Sequence, residues 1–201
     1  MNTFIKKLSY LWDYYKLYII GIPLALLFLA YVISVFTVSK TDPFSVYFIN
    51  QDVAIEDWAE LEAQLLSELE LTGENRDVYV DASLLINPDA PDADSQMTFT
   101  TAISGHTIDV MISDRAFLEH YAKMEAFAHL GEMLPPDLYD LMMPYLILAE
   151  NEAGVMIPYG IDLSDFSYFA DLKLDAPVLT IAKYSEHQAD CIAFLFLLLS
   201  E

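Results

Sequence analysis

The sequence has one cysteine, Cys191, so no bridge can form within the chain and its stability must come from an apolar core. The neighbours of Cys191, in ADCIAFLF, predict a buried apolar thiol rather than a reactive one. Six glycines in 201 residues make a glycine-rich phosphate loop improbable. Bases are scarce, 9 against 31 acids, and the net charge of −22 excludes a nucleic-acid binder, which needs positive charge to neutralise phosphates. The four histidines, His106, His120, His129 and His187, show neither HExxH nor a paired short spacing, so no zinc site is expected. Neither GxSxG nor SxxK occurs, and Ser104 next to Gly105 and His106 lacks the strained elbow a serine nucleophile needs. Repeats and low-complexity stretches are missing too.

What the chain does have is apolar content. Hydrophobic residues make up 55% of it and the mean hydropathy is +0.35, which excludes a disordered acidic tail. The two tendencies separate at Lys40. Residues 1–40 hold four lysines against one aspartate, net +3; residues 41–201 hold five bases against 30 acids, net −25. Residues 17–38 form a run without charge, about 33 Å long as a helix and long enough to cross a bilayer. The run is longer than a signal-peptide core and ends in FTVSKTDP, without a small-x-small cleavage site, which predicts an uncleaved signal anchor. No cysteine near its end offers a lipoprotein anchor. Lys6, Lys7 and Lys16 precede the run and only Lys40 follows it closely, so the positive-inside bias predicts a single-pass cell-membrane protein with a cytoplasmic N-terminus. Phe4, Ile5, Leu8, Leu11, Trp12 and Tyr15 follow helical spacing and predict an interfacial tail over residues 1–16. The lipid bilayer is thus the first expected partner, and residues 39–201 are expected as an acidic extracytoplasmic domain.

That domain reads as alternating strands and helices. Strands are expected at Pro43–Asn50, Arg76–Ala82 and Ile108–Ser113, with a helix capped by Asp52 and ended by Gly73, and a helix from about Ser95 to Ser104. A further helix carries Phe117, His120, Tyr121 and Met124 on one side, and Pro135–Pro136 open another at the position where their fixed φ is favourable. Strands at Tyr145–Glu150 and Gly154–Gly160 are joined by three residues, which only an antiparallel pair allows. A last strand, Asp175–Tyr184, leads through a capping Ser185 into a C-terminal helix. The expected fold class is α/β, a mixed-sheet sandwich covered by helices on both faces.

Three segments in this order, Thr101–Tyr121 (a glycine, a short gap and an aspartate leading into an apolar strand), Phe127–Met142 and Pro177–Leu199, resemble bacterial extracytoplasmic solute-binding proteins. The lysine and aromatic tail, the single span and YGIDLSD (Tyr159–Asp165) resemble an uncharacterised membrane-anchored group from Gram-positive bacteria. The resemblance implies one lobe of such a protein, because the interval from Glu119 to Pro177 is too short for a second lobe.

Candidate ligand residues are those at strand ends, since open α/β sheets bind at the carboxyl edge. Asn50 and Gln51 follow the first strand, Asp81 and Ser83 the second, and Ser113, Asp114 and Arg115 the third. Asp114 has an alternative role as helix cap and Arg115 as partner of a nearby acid. Asp89, Asp92 and Asp94 offer clustered oxygens to calcium, though without the glycine and distal glutamate of an EF-hand. No catalytic residue and no cofactor is indicated. The C-terminal run Cys191–Leu199 is apolar on every side, expected as a fully covered core helix or as one with a face awaiting a partner. The expected function is a binding or interaction module without catalysis, for a ligand or a membrane or envelope protein. The alternatives are a cell-envelope hydrolase, or an assembly subunit associating through the C-terminal helix.

Overall fold

The computed structural model describes residues 15, 18, 20–31, 43–51, 53–69, 71, 77–86, 92–172 and 174–200. The chain forms two compact units, Met1–Thr41 and Asp42–Glu201. In the first unit residues 20–31 form a helix, α1, whose large apolar side chains stay exposed, Leu24 at 67%, Leu27 at 70% and Phe28 at 68%. Among the described residues no helix is long and apolar enough to cross a membrane. Part of the run at 17–38, and the tail at 1–16 apart from Tyr15, lie outside the described residues.

The second unit is built on six strands, β1 (Phe44–Ile49), β2 (Val78–Leu84), β3 (Val110–Ser113), β4 (Leu146–Glu150), β5 (Met156–Asp162) and β6 (Val178–Ile181). Their order across the sheet is β2-β1-β3-β6-β5-β4. β1 pairs in parallel with β2 and β3, whereas β3–β6, β6–β5 and β5–β4 are antiparallel, so the sheet is mixed. All six residues of β1 are buried, as a central strand covered on both faces requires. Alternation along it is strict: Val46 and Phe48 enter one core, Tyr47 and Ile49 the other.

The first core lies under α2 (Ile55–Glu68), α5 (Leu130–Met133), α6 (Pro136–Met142) and α7 (Gln188–Leu199). Leu61 and Leu65, one helical turn apart, seat α2, and Leu138 and Met142 seat α6. The second core lies under α3 (Ala93–Ser104) and α4 (Arg115–Ala122), where Phe99, Phe117 and Tyr121 pack ring against ring at 4.5–5.4 Å between centroids. Helices therefore cover both faces, as the alternation of strand and helix patterns implies.

Several boundaries differ from expectation. β2 runs on to Leu84, because Leu84 is buried and pairs with Ile49 across a register shift; Asp81 and Ser83 are thus inside the strand, not beyond it. The N-cap of α2 is Ala54, without a side-chain hydrogen bond, and α2 stops at Glu68; Asp52 and Gly73 lie outside the described residues. Pro136 does open α6 at its first turn. The β4–β5 link is antiparallel as expected, with Asn151 Oδ1 accepting from the amides of Ala153 and Val155, and Gly154 taking φ +75°. Ser185 does not cap α7: the helix starts at Gln188, after His187. Nor is α7 fully covered. Cys191, Phe194, Leu195 and Leu198 are buried, but Phe196 is 47% exposed.

Candidate functional site

The helices α2 and α3 lie on opposite faces, so the chain changes face between β1 and β3, the position where such sheets open a crevice at their carboxyl ends. Asn50 and Asp114, immediately after these strands, meet there: Asn50 Nδ2 donates to Asp114 Oδ2 at 2.6 Å. The same amide also donates to the carbonyl of Ile86 at 2.7 Å, and Asn50 Oδ1 accepts from the Ile86 amide at 2.6 Å. Asp114 Oδ1 accepts from Phe117 N at 2.7 Å and so caps α4. Gln51 makes a similar two-way contact, accepting from Asp175 N at 2.9 Å and donating to Asp175 O at 3.2 Å. Asn50, Gln51 and Asp114 at this edge therefore already have partners within the chain.

The other candidates stand apart from that pair. Ser113 is buried, and its hydroxyl lies 3.4 Å from the carbonyl of Asp114. Arg115 projects outward, 63% exposed, in an i,i+4 pair with Glu119 at 2.9 Å. Asp81 Oδ1 accepts from the amide and hydroxyl of Ser83 and Oδ2 from Tyr79 Oη, a local turn on the exposed side of β2. Asp92 is the N-cap of α3, and the Ser95 amide bonded to it holds its carboxyl below the usual range. Asp94 sits in the first turn of that helix, where a negative charge meets the positive end of the helix dipole. Asp89 lies outside the described residues, among which no group of three His, Cys, Asp or Glu side chains is placed to hold a metal.

The opposite, amino end of β1 and β3 holds a network that no local motif announces. Asp109, 1% exposed, accepts from Ser45 N at 2.8 Å through Oδ2 and from the Ser185 hydroxyl at 2.6 Å through Oδ1. His187 Nδ1 lies 3.0 Å from Oδ2, and the carboxylate's acceptor role places the hydrogen on that nitrogen. Ser45 Oγ donates to the carbonyl of Thr107 and accepts from Asp109 N, while Ser185 Oγ accepts from His187 N. The starts of β1, β3 and α7 are thus tied to one carboxylate. Cys191 is 3.7 Å from Ser185, and burial pushes its thiol up to about 12, which makes it inert in the folded state. The one trace in the sequence is an acid at the head of an apolar strand, in IDVMIS.

Beside this network opens a cleft of about 230 Å³ between α3, the end of α4 and the end of β6. Phe99, Ile103, Ile108, Tyr121 and Ala182 make it apolar. Both helices reach it with their C-terminal ends. Ala126 N bonds Tyr121 O and Glu125 N bonds Ala122 O, while Thr107 N bonds Ala102 O and His106 N bonds Ile103 O. These are paired C-terminal closures, which need a left-handed residue; Glu125 (φ 53°) and His106 (φ 55°) supply it without glycine. At the mouth His106 stacks on Tyr184 at 5.3 Å, and Lys183 Nζ bonds Glu125 Oε2 at 2.6 Å. A second cleft, about 330 Å³ and polar, lies between α2 and the 3-10 turn Ser167–Leu172; among the described residues its lining includes Glu60 and Asp171 but no histidine, cysteine or lysine.

Comparison of the chain with protein-family models, with curated proteins and with solved structures finds no match, and so adds no support to the resemblance to solute-binding lobes.

Proposed function

We propose that this chain is a single-pass membrane protein, N-terminus inside, whose outer acidic domain is a binding module that takes a small apolar-bodied ligand without performing chemistry on it. The observation that carries the reading is the amino-end cleft: a preformed apolar concavity with a few polar groups at its mouth, the usual make-up of a ligand site, though smaller than the about 300–1,000 Å³ of drug-sized pockets. The anchor is supported by residues 20–31, a helix with apolar side chains exposed all round, which water does not favour and lipid does. The lysines before the span and the −25 beyond it support the orientation. The single-lobe likeness to solute-binding proteins supports binding rather than turnover.

Equilibrium dialysis of a neutral naphthyl probe against the full chain in nanodiscs, with empty discs as blank, should show saturable binding above the blank. Ile103→Trp, which fills the cleft from its own wall, is expected to weaken that binding about tenfold or more. Binding no stronger than to empty discs, or indifference to Ile103→Trp, would sink the reading. For the orientation, protease added outside intact cells is expected to remove residues beyond the span. Digestion only after lysis would reverse it.

A further inference from the structure

We infer that the ligand of the amino-end cleft is a small organic cation, an aromatic or aliphatic body carrying one positively charged head; this rests on the binding-module reading above. Among the described residues the acids Glu125 and Glu186 near the cleft have the sign that attracts such a head, and Lys183 has the other. The C-terminal ends of α3 and α4 both line the cleft, through Ser104 and His106 on one side and Met124 and Glu125 on the other. Each such end carries the negative pole of its helix dipole, reduced where backbone amides close on its carbonyls. Glu125 is part of the wall, and Glu186 lies 4.0 Å from His106, another wall residue. Tyr184 lines the cleft and already draws a cation to its ring, Lys183 Nζ lying 5.6 Å from the centroid. The domain as a whole, at −25, concentrates cations and repels anions.

The exception shows how the head would sit. Lys183 is the single lysine of the cleft wall among the described residues, and its ammonium rests against Glu125 at 2.6 Å and 5.6 Å from the centroid of the Tyr184 ring. The chain's own cation thus occupies the carboxylate-and-ring position, with its side chain 34% exposed and free of any second carboxylate at salt-bridge distance among the described residues. An incoming cation competes with Lys183 for Glu125. An anionic ligand would meet two helix C-termini in an acidic domain, with Lys183 already paired to Glu125.

Three probes of one shape separate the possibilities: phenylbutyl-trimethylammonium, its neutral analogue with carbon in place of the ammonium nitrogen, and phenylbutyl sulfonate. Each is dialysed against the full chain in zwitterionic nanodiscs with empty discs as blank. The cation is expected to bind about tenfold tighter than the neutral analogue, and the sulfonate more weakly than both. The preference should shrink in high salt and in Glu125→Gln, and grow in Lys183→Met; both substitutions touch a partly exposed pair of small worth to stability. A neutral analogue that binds as well as the cation overturns the inference and leaves the cleft reading standing. A cation preference unchanged in Glu125→Gln overturns it as well, because the attraction would then lie elsewhere. If none of the three binds above the blank, the binding-module reading itself falls.

Discussion

Replacing Asp109 by alanine is expected to destabilise the outer domain by about 3–5 kcal/mol, the range for removing one partner of a buried charged network. The residue is 1% exposed, and its carboxylate is the acceptor for the Ser45 amide and the Ser185 hydroxyl, with His187 Nδ1 3.0 Å away. Alanine would leave these donors facing a void, and each buried donor without a partner costs about 1–3 kcal/mol. The losses do not add fully, since water entering the gap would satisfy some of them. Asp109→Asn is expected to fall between wild type and alanine, because its amide keeps one acceptor oxygen but turns two hydrogens toward existing donors.

Urea unfolding at constant m measures the loss directly. Cys191 gives a second reading. Its thiol is buried and raised to about 12, so alkylation proceeds only through opening, and the rate should climb about a hundredfold or more in Asp109→Ala at tenfold per 1.4 kcal/mol. Since a domain of this kind has roughly 5–15 kcal/mol in total, the alanine variant should remain folded but marginal. A loss below 1 kcal/mol would show that the network is not what ties β1, β3 and α7 together.

That network also marks the limit of what the sequence discloses. Local pattern carries the strands: the short apolar runs in PFSVYFIN, IDVMIS and GVMIPYG predict β1, β3 and β5 to within a few residues, and the three-residue link predicts the antiparallel hairpin. Pro136 at the start of α6 is equally local. Asp109, by contrast, meets Ser45, Ser185 and His187 at separations of 64, 76 and 78 residues, and no spacing rule reaches that far. The cleft is similarly assembled from the ends of α3, α4 and β6. Its sharpest local signs are the left-handed His106 and Glu125, invisible because glycine, the usual marker, is absent at both. At the carboxyl edge the sequence names seven candidates, of which Asn50 and Asp114 meet directly. Residue type, however, says nothing about whether a polar group already has its partner.

Asn50 tests that last point. Asn50→Ala is expected to destabilise the domain by about 3 kcal/mol, combining lost hydrogen bonds with a backbone term. The side chain bonds both the amide and the carbonyl of Ile86, and donates to Asp114 as well, so alanine strands partners in the β2–α3 connection and beside the α4 cap. Asn50 also sits at φ 59°, where asparagine is tolerated and alanine is strained by about 1–2 kcal/mol. Asn50→Gly removes the strain but not the lost bonds, so it should recover roughly that difference and no more. Asn50→Asp keeps the backbone preference but sets a carboxylate against Asp114, and it should be destabilised most at neutral pH and partly rescued on acidification, when one of the two carboxyls takes a proton. If the residue served chiefly to receive a ligand, all three variants would unfold near wild type, because an open polar edge loses little when a solvated amide is removed. A graded order, with glycine above alanine and aspartate responding to pH, identifies Asn50 instead as the clamp that joins the ends of β1, β2 and β3.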